Sequence, residues 1–267
     1  MFFGLWALAG ALAVVGCRLF SGGSPCSTGA GLISGSYSGD QVPAKTLILL
    51  FDGGPTGATA GIGDVLQAHG VQAAFFVFGQ HVESGTSSLS HLKEMGHLVA
   101  NRTFSGAPLS QAIDPVTEIR KTDELIAPFV SGDIFLLRTS DGPMAEGLLK
   151  RLVSAGLNRY VGPVVADFGE QGAATQASLC WQEGRSVEDC TQLYLNGIRG
   201  IGKGIIALDG EDSRTGLLLR SLVPKLKEEG FTFVRLDQVA TIRQALETSG
   251  AKPGTVGGPG GCREYER

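Results

Sequence analysis

Four aspartates stand at or just beyond the ends of short apolar runs: Asp52, Asp141, Asp167 and Asp209. A carboxylate so placed can accept a proton, help worth roughly 10²–10⁴-fold in rate. Gathered around a hard cation, four carboxylates would favour Mg²⁺, Ca²⁺ or Mn²⁺ over zinc. Arg102 and Arg138 follow similar runs, and a guanidinium stays charged in proteins, so either can pair with a carboxylate but neither can ligate a metal. The four histidines, His69, His81, His91 and His97, show neither H-x-x-x-H nor H-E-x-x-H spacing. The five cysteines, Cys17, Cys26, Cys180, Cys190 and Cys262, contain no C-x-x-C pair, which argues against a cysteine zinc site.

These side chains need a scaffold, and the patterning supplies one. Apolar runs at 46–51, 73–78, 97–100, 134–138, 160–166, 204–208 and 231–235 read as strands. Between and after them, 61–69, 89–95, 114–129, 144–155, 187–198, 215–229 and 238–247 read as helices, with Pro115 suited to a first turn. Leu217, Leu218, Leu222, Val223 and Leu226 recur at helical spacing and predict one buried stripe. Such alternation implies an α/β fold of about seven parallel strands wrapped by helices, with functional groups at the strands' C-terminal ends. Pattern alone does not separate a barrel from an open sheet.

Hydrophobic residues make up 43% of the 267-residue chain and charged ones 18%, enough for a large core. The net charge is −4 and no more than two basic residues adjoin, so a nucleic-acid groove is not expected. Residues 1–16 carry no charged side chain and are shorter than the ~20 residues needed to span a bilayer, so they read as a secretory signal. They end in Val14-Val15-Gly16-Cys17, which resembles a bacterial lipoprotein signal with Cys17 as the acylated residue. Residues 17–44 then read as a Gly/Ser-rich tether, 45–249 as the folded domain and 250–267 as a Gly-rich tail. With Cys17 lipidated, four cysteines remain. Three pairings exist, and the most economical joins Cys180 to Cys190 and Cys26 to Cys262.

Five segments carry a family resemblance. Phe51-Asp52-Gly53-Gly54-Pro55 is similar to the T-F-D-D-G-P motif of the polysaccharide deacetylases (carbohydrate esterase family 4, the NodB homology domain). Gly96-His97-Leu98-Val99-Ala100-Asn101-Arg102-Thr103-Phe104-Ser105-Gly106 resembles their G-H-E-[IV]-[GA]-N-H-[ST]-x-x-H segment. Phe135 to Gly142 resembles F-R-x-P-x-G, retaining Arg138. Tyr160 to Asp167, with Cys180-Trp181 downstream, resembles the fourth block, and Gly204 to Gly210 resembles I-I-L-L-H-D. The likeness covers roughly 45–239 and implies a distorted (β/α) barrel.

The resemblance also implies roles. Asp52 falls on the family's catalytic base and Arg138 on the arginine that holds that base. The three metal ligands fall on Gly53, Arg102 and Gly106, and the general-acid histidine falls on Asp209. The family uses zinc or another divalent metal with three protein ligands. None of the three residues here donates to a metal, so no cofactor is expected, and Asp52 is expected to pair with Arg102 or Arg138 instead. Asp209 reads most simply as a solvated loop residue. Trp181 and Phe104 read as partly buried core rather than sugar platforms. The expected function is an exported, membrane-anchored envelope lipoprotein, catalytically inactive, that binds or scaffolds at cell-wall or extracellular polysaccharide. The alternatives are an active glycan N-deacetylase with a rearranged site at Asp52, Asp141, Asp167 and Asp209, and an interaction protein without sugar affinity. The lipid-anchor expectation has a direct check. Fatty-acid labelling in a bacterial host should mark the chain, and Cys17→Ser should abolish the label; label surviving that substitution would discard the anchor.

Overall fold

The structure, a computed structural model, describes residues 31–169, 180–181 and 184–249. Strand β2 (Thr46–Asp52) is buried along its whole length, as the continuous run TLILLFD requires of a central parallel strand. It pairs in parallel with β3 (Ala74–Val77) on one side and β6 (Gly204–Asp209) on the other, and β7 (Thr232–Phe233) joins its first residues. Strand β4 (Leu98–Asn101) continues the sheet beyond β3.

From there the ring is completed by single bridges. Asn101 bridges Leu137, Leu136 bridges Val161 beside β5 (Gly162–Val164), and Phe168 bridges Ile206 of β6. The result is an α/β barrel of parallel strands, irregular on the side where regular ladders give way to bridges. Helices α1 (Thr59–Ala68), α3 (Thr86–Glu94), α4 (Pro115–Ile126), α5 (Glu146–Ser154), α6 (Val187–Ile201), α7 (Ser213–Glu228) and α8 (Ala240–Ser249) alternate with it, and a short turn of helix, α2 (Gly79–Val82), follows β3.

Pleating sorts the strand residues into two cores. Leu47, Leu49 and Phe51 of β2 pack outward with Leu66, Leu219 and Leu222 of the helices. Ile48 and Leu50 face inward with Ala74, Phe76, Leu98, Ala100, Leu136, Ile205 and Ala207. The same two-residue period carries the inward face on to Asp52, Arg102, Arg138 and Asp209 at the C-terminal end of the barrel.

Several sequence expectations need correction. The 17–44 segment is not all tether, because Leu32–Tyr37 forms β1, which pairs in parallel with β5. The 134–138 run forms no strand of its own, since Leu136 and Leu137 make one bridge each. The 160–166 run shortens to three strand residues. In α7, Leu218, Leu222, Val223 and Leu226 are buried, but Leu217 is 55% exposed and Leu219 takes its place in the stripe. Pro115 does open its helix, with the Asp114 side chain accepting from the Val116 N–H. The signal segment, Cys17, Cys26, Cys262 and the tail lie outside the described residues.

Candidate active-site cleft

Asp52 is 2% exposed at the end of β2, and a carboxylate there must be compensated. Arg138, fully buried, supplies a two-pronged partner. Its Nε donates to Oδ1 at 2.8 Å and Oδ2 at 3.0 Å, and its Nη2 donates to Oδ2 at 2.8 Å. Nη1 of the same guanidinium donates to the Val164 carbonyl at 2.9 Å. Arg102, 5% exposed, adds a second cation, its Nε donating to Asp52 Oδ1 at 2.9 Å. Its Nη1 reaches Ser140 Oγ at 3.1 Å, and that hydroxyl donates to the Gly106 carbonyl at 2.6 Å.

Burial alone would raise the Asp52 carboxyl; the charges and hydrogen bonds of Arg138 and then Arg102 outweigh it and hold the group below the ordinary carboxylate range. Both arginines are thus found on Asp52, where the sequence left the choice between them open.

Arg102 is aimed by its neighbours. Thr103 adopts φ +72°, a left-handed conformation costly for a β-branched residue. Asn101 holds that turn by accepting the Thr103 N–H on Oδ1 at 2.8 Å. Its Nδ2 donates at 3.0 Å to both the Ile119 carbonyl and Tyr160 Oη, and Tyr160 donates to Asp123 at 2.6 Å. The buried amide of Asn101 is therefore fully used in positioning.

Asp209 ends β6 directly across from Asp52, which corrects its reading as a solvated loop residue. Burial, with the nearby charges of Glu211 and Asp212 adding, raises its carboxyl against the pull of the Glu211 and Asp212 backbone N–H groups. The four-carboxylate arrangement is not assembled. Asp141 instead accepts from the Leu109 N–H at 2.6 Å and the Ser110 N–H at 3.1 Å. Asp167 accepts from Gly39 N–H at 2.9 Å and Ile205 N–H at 2.6 Å. Both are spent on holding loops.

The three positions aligned with metal ligands show how poorly the donor set suits a cation. Gly53 has φ +90°, and a Cβ there would lie 2.6 Å from Glu211 Cγ and 2.7 Å from its Cδ. Gly106 has φ +77°, and its Cβ would lie 2.4 Å from Phe78 Cε1. Arg102 brings a positive charge onto the remaining carboxylate. Among the described residues no group of three or more His, Cys, Asp or Glu side chains is placed to share a metal ion. The residues present do not fit the family's metal.

Sequence reasoning missed Glu211, Phe78, His81 and Ser140. Glu211 Oε1 accepts from the Gly54 N–H at 3.2 Å and lies 3.5 Å from His81 Nδ1, while Phe78 meets His81 edge-on at 5.7 Å between centroids. The available signal was position alone: Phe78 follows β3 and Glu211 follows β6, both at the barrel's C-terminal end. His97 is a core residue. Its Nδ1 accepts from the Ala73 N–H, so Nε2 carries the proton towards Gly63 O, and burial depresses its pKa to about 4. Trp181 packs against the core, donating to Thr215 Oγ1 at 3.2 Å with Arg214 stacked on its ring, and Phe104 is half-buried. Cys180 and Cys190 form a disulfide, their Cα atoms 5.6 Å apart.

Residues 39–160 match the family model described as polysaccharide deacetylase. A chitooligosaccharide deacetylase of Rhizobium leguminosarum bv. trifolii is 40% identical over 87 residues, 31% of this chain and 40% of that protein. A peptidoglycan-N-acetylmuramic acid deacetylase of Bacillus subtilis is 26% identical over 200 residues, 73% and 71% of the two chains. For the first curated relatives the matched region spans about two fifths of their length. Among solved structures, the Bacillus subtilis family 4 carbohydrate esterase superposes with TM-score 0.63 at 22% identity over 77% of this chain and 84% of that one. A peptidoglycan N-acetylglucosamine deacetylase does so with TM-score 0.60 at 23% identity, covering 76% and 91%. These likenesses establish the fold.

Removing one partner of a buried ion pair typically costs about 3–5 kcal/mol, because a charge is left unpaired. Arg138→Ala should therefore lower unfolding stability by about that much in urea at neutral pH. Arg102→Ala, which leaves the Arg138 fork in place, should cost less but measurably. An Arg102→Ala variant as stable as wild type would remove it from the account. Because the folded-state pKa of Asp52 is depressed, its contribution is fully present above the ordinary carboxylate value and lost as pH falls through the lower, folded one. Both penalties should accordingly shrink in acid.

Proposed function

Since residues 39–160 match the polysaccharide deacetylase family model, we propose that the chain is a non-hydrolysing member of that family acting at the cell envelope, where it binds or scaffolds at glycan. The observation that carries this reading is the state of Asp52. A useful general base has a pKa near the working pH, and a carboxylate depressed by two guanidiniums is far weaker. Each of its oxygens already accepts two donors: Oδ1 from Arg102 and Arg138, Oδ2 twice from Arg138. A water held there would compete with those donors for the same lone pairs. Asp209, with its raised carboxyl, is no substitute for the paired base and metal, since Gly53, Arg102 and Gly106 provide no ligand to polarise an acetamide.

Glycan is the ligand class best supported, because the relatives are named for acting on chitooligosaccharide and peptidoglycan. On this reading the loops at the strand ends would supply the surface on which a sugar chain lies. The lipid on Cys17 would hold that surface at the periplasmic or outer face of a membrane, with residues between Cys17 and β1 as the tether.

Acetate release and sedimentation with insoluble peptidoglycan or chitin, run on the same preparation with zinc or manganese added, test this reading. The expected result is co-sedimentation without acetate. Acetate release abolished by Asp52→Ala would replace the proposal with an active deacetylase. Failure to sediment with either glycan, with no acetate released, would leave a protein-interaction role in its place.

A further inference from the structure

The two glycines at ligand positions are not followed by open space. A Cβ on Gly53 would meet the Glu211 side chain at 2.6 and 2.7 Å, and one on Gly106 would meet three atoms of the Phe78 ring at 2.4–2.9 Å. Real Cβ contacts do not come so close, so a side chain at either glycine needs its neighbour to shift. Each glycine also has a positive φ that L side chains rarely adopt.

Neither neighbour is a loose end. Glu211 Oε1 accepts the Gly54 N–H at 3.2 Å and is the carboxylate beside His81 Nδ1, a buried nitrogen with no hydrogen bond of its own. The Glu211 carbonyl also accepts from Thr56 Oγ1 at 3.3 Å, fastening the β6 loop to the β2 loop. Phe78 packs edge-on against His81, and the Arg102 guanidinium lies 5.9 Å from the Phe78 ring centre. Displacing Glu211 strands an N–H, and displacing Phe78 strips the cover from His81 and Arg102.

We propose that Glu211 and Phe78, together with Arg102, are what close the metal subsite of this chain, so that restoring the three lost donors does not by itself restore a metal site. Arg102 takes the electrostatic place of the cation on Asp52. Glu211, reaching over from the β6 loop, and Phe78, from the end of β3, take the volume of the two missing side chains. The state without metal is then fixed at five positions on four strand ends rather than at three. This rests on the reading that the chain does not use the family's metal, and the experiment separates the two.

Full-length chain purified in detergent is titrated with zinc by calorimetry in three forms: unmodified, Gly53→Asp/Arg102→His/Gly106→His, and that triple variant with Glu211→Ala and Phe78→Ala added. The five-fold variant should bind zinc at least tenfold more tightly than the triple variant. Equal affinity in the two, including none in either, would overturn the proposal. Thermal melts of Gly53→Asp, Glu211→Ala and their double variant give a reading that needs no metal. The double variant should melt above Gly53→Asp alone, and a double variant melting no higher would equally overturn it. A one-to-one zinc site on the unmodified chain, lost in Asp52→Ala, would instead refute the proposed function, whatever the back-substituted variants do.

Discussion

A carboxylate at the floor of a parallel barrel is intolerable unless its charge is met, and the arrangement at the C-terminal end of this fold follows from meeting it at Asp52. The fork from Arg138 occupies both oxygens, and Arg102 adds a second cation on one of them. Placing Arg102 there needs the strained Thr103 turn, which in turn needs the Asn101 amide and the Tyr160–Asp123 pair behind it. The chain of dependence runs from one buried charge to helix α4 and the loop after α5. A site organised in this way meets its carboxylate with two covalently tethered monovalent cations. Tethered cations can neutralise a carboxylate, but they offer no open coordination position and no acidified water.

The absence of donor side chains at 53 and 106 and the packing beside those glycines are distinct features of the strand ends. Glycine at 53 and 106 removes donor atoms. Glu211 and Phe78 occupy the space that a Cβ at those positions would enter, and both lie against His81. Interiors tolerate neither voids nor unpaired polar groups well, so space beside a glycine at a strand end is expected to be filled by whatever the adjacent loops can reach.

Much of this was legible in the residues before any coordinates. Continuous apolar runs mark the buried strands and place Asp52, Arg102, Arg138 and Asp209 at or beyond their ends, while the barrel itself was implied by the family resemblance rather than by the pattern. Pairing of Asp52 with an arginine followed from the family resemblance, which sets Arg138 on the arginine that holds the base and Arg102 on a ligand position. The double pairing did not, because nothing in the spacing says that Arg102 bends back to share an oxygen with Arg138. Strand β1 was hidden by its composition: LISGSY carries a glycine and two serines, and it is held by pairing with β5 rather than by its own propensity. Leu217 misled because a helical leucine run covers more arc than the core can use, and packing against α1 and α6 decided which face turned in. Glu211 and Phe78 were out of reach because their role is contact across loops from different strands, which no local pattern encodes.

The central claim is that guanidinium charge, not a metal ion, holds Asp52 ionised, and the direct measurement is a ¹³C NMR titration of the Asp52 side-chain carboxyl with and without zinc. The account predicts an inflection below the ordinary carboxylate range that zinc leaves in place. An inflection at or above that range, or one displaced by zinc, would contradict it.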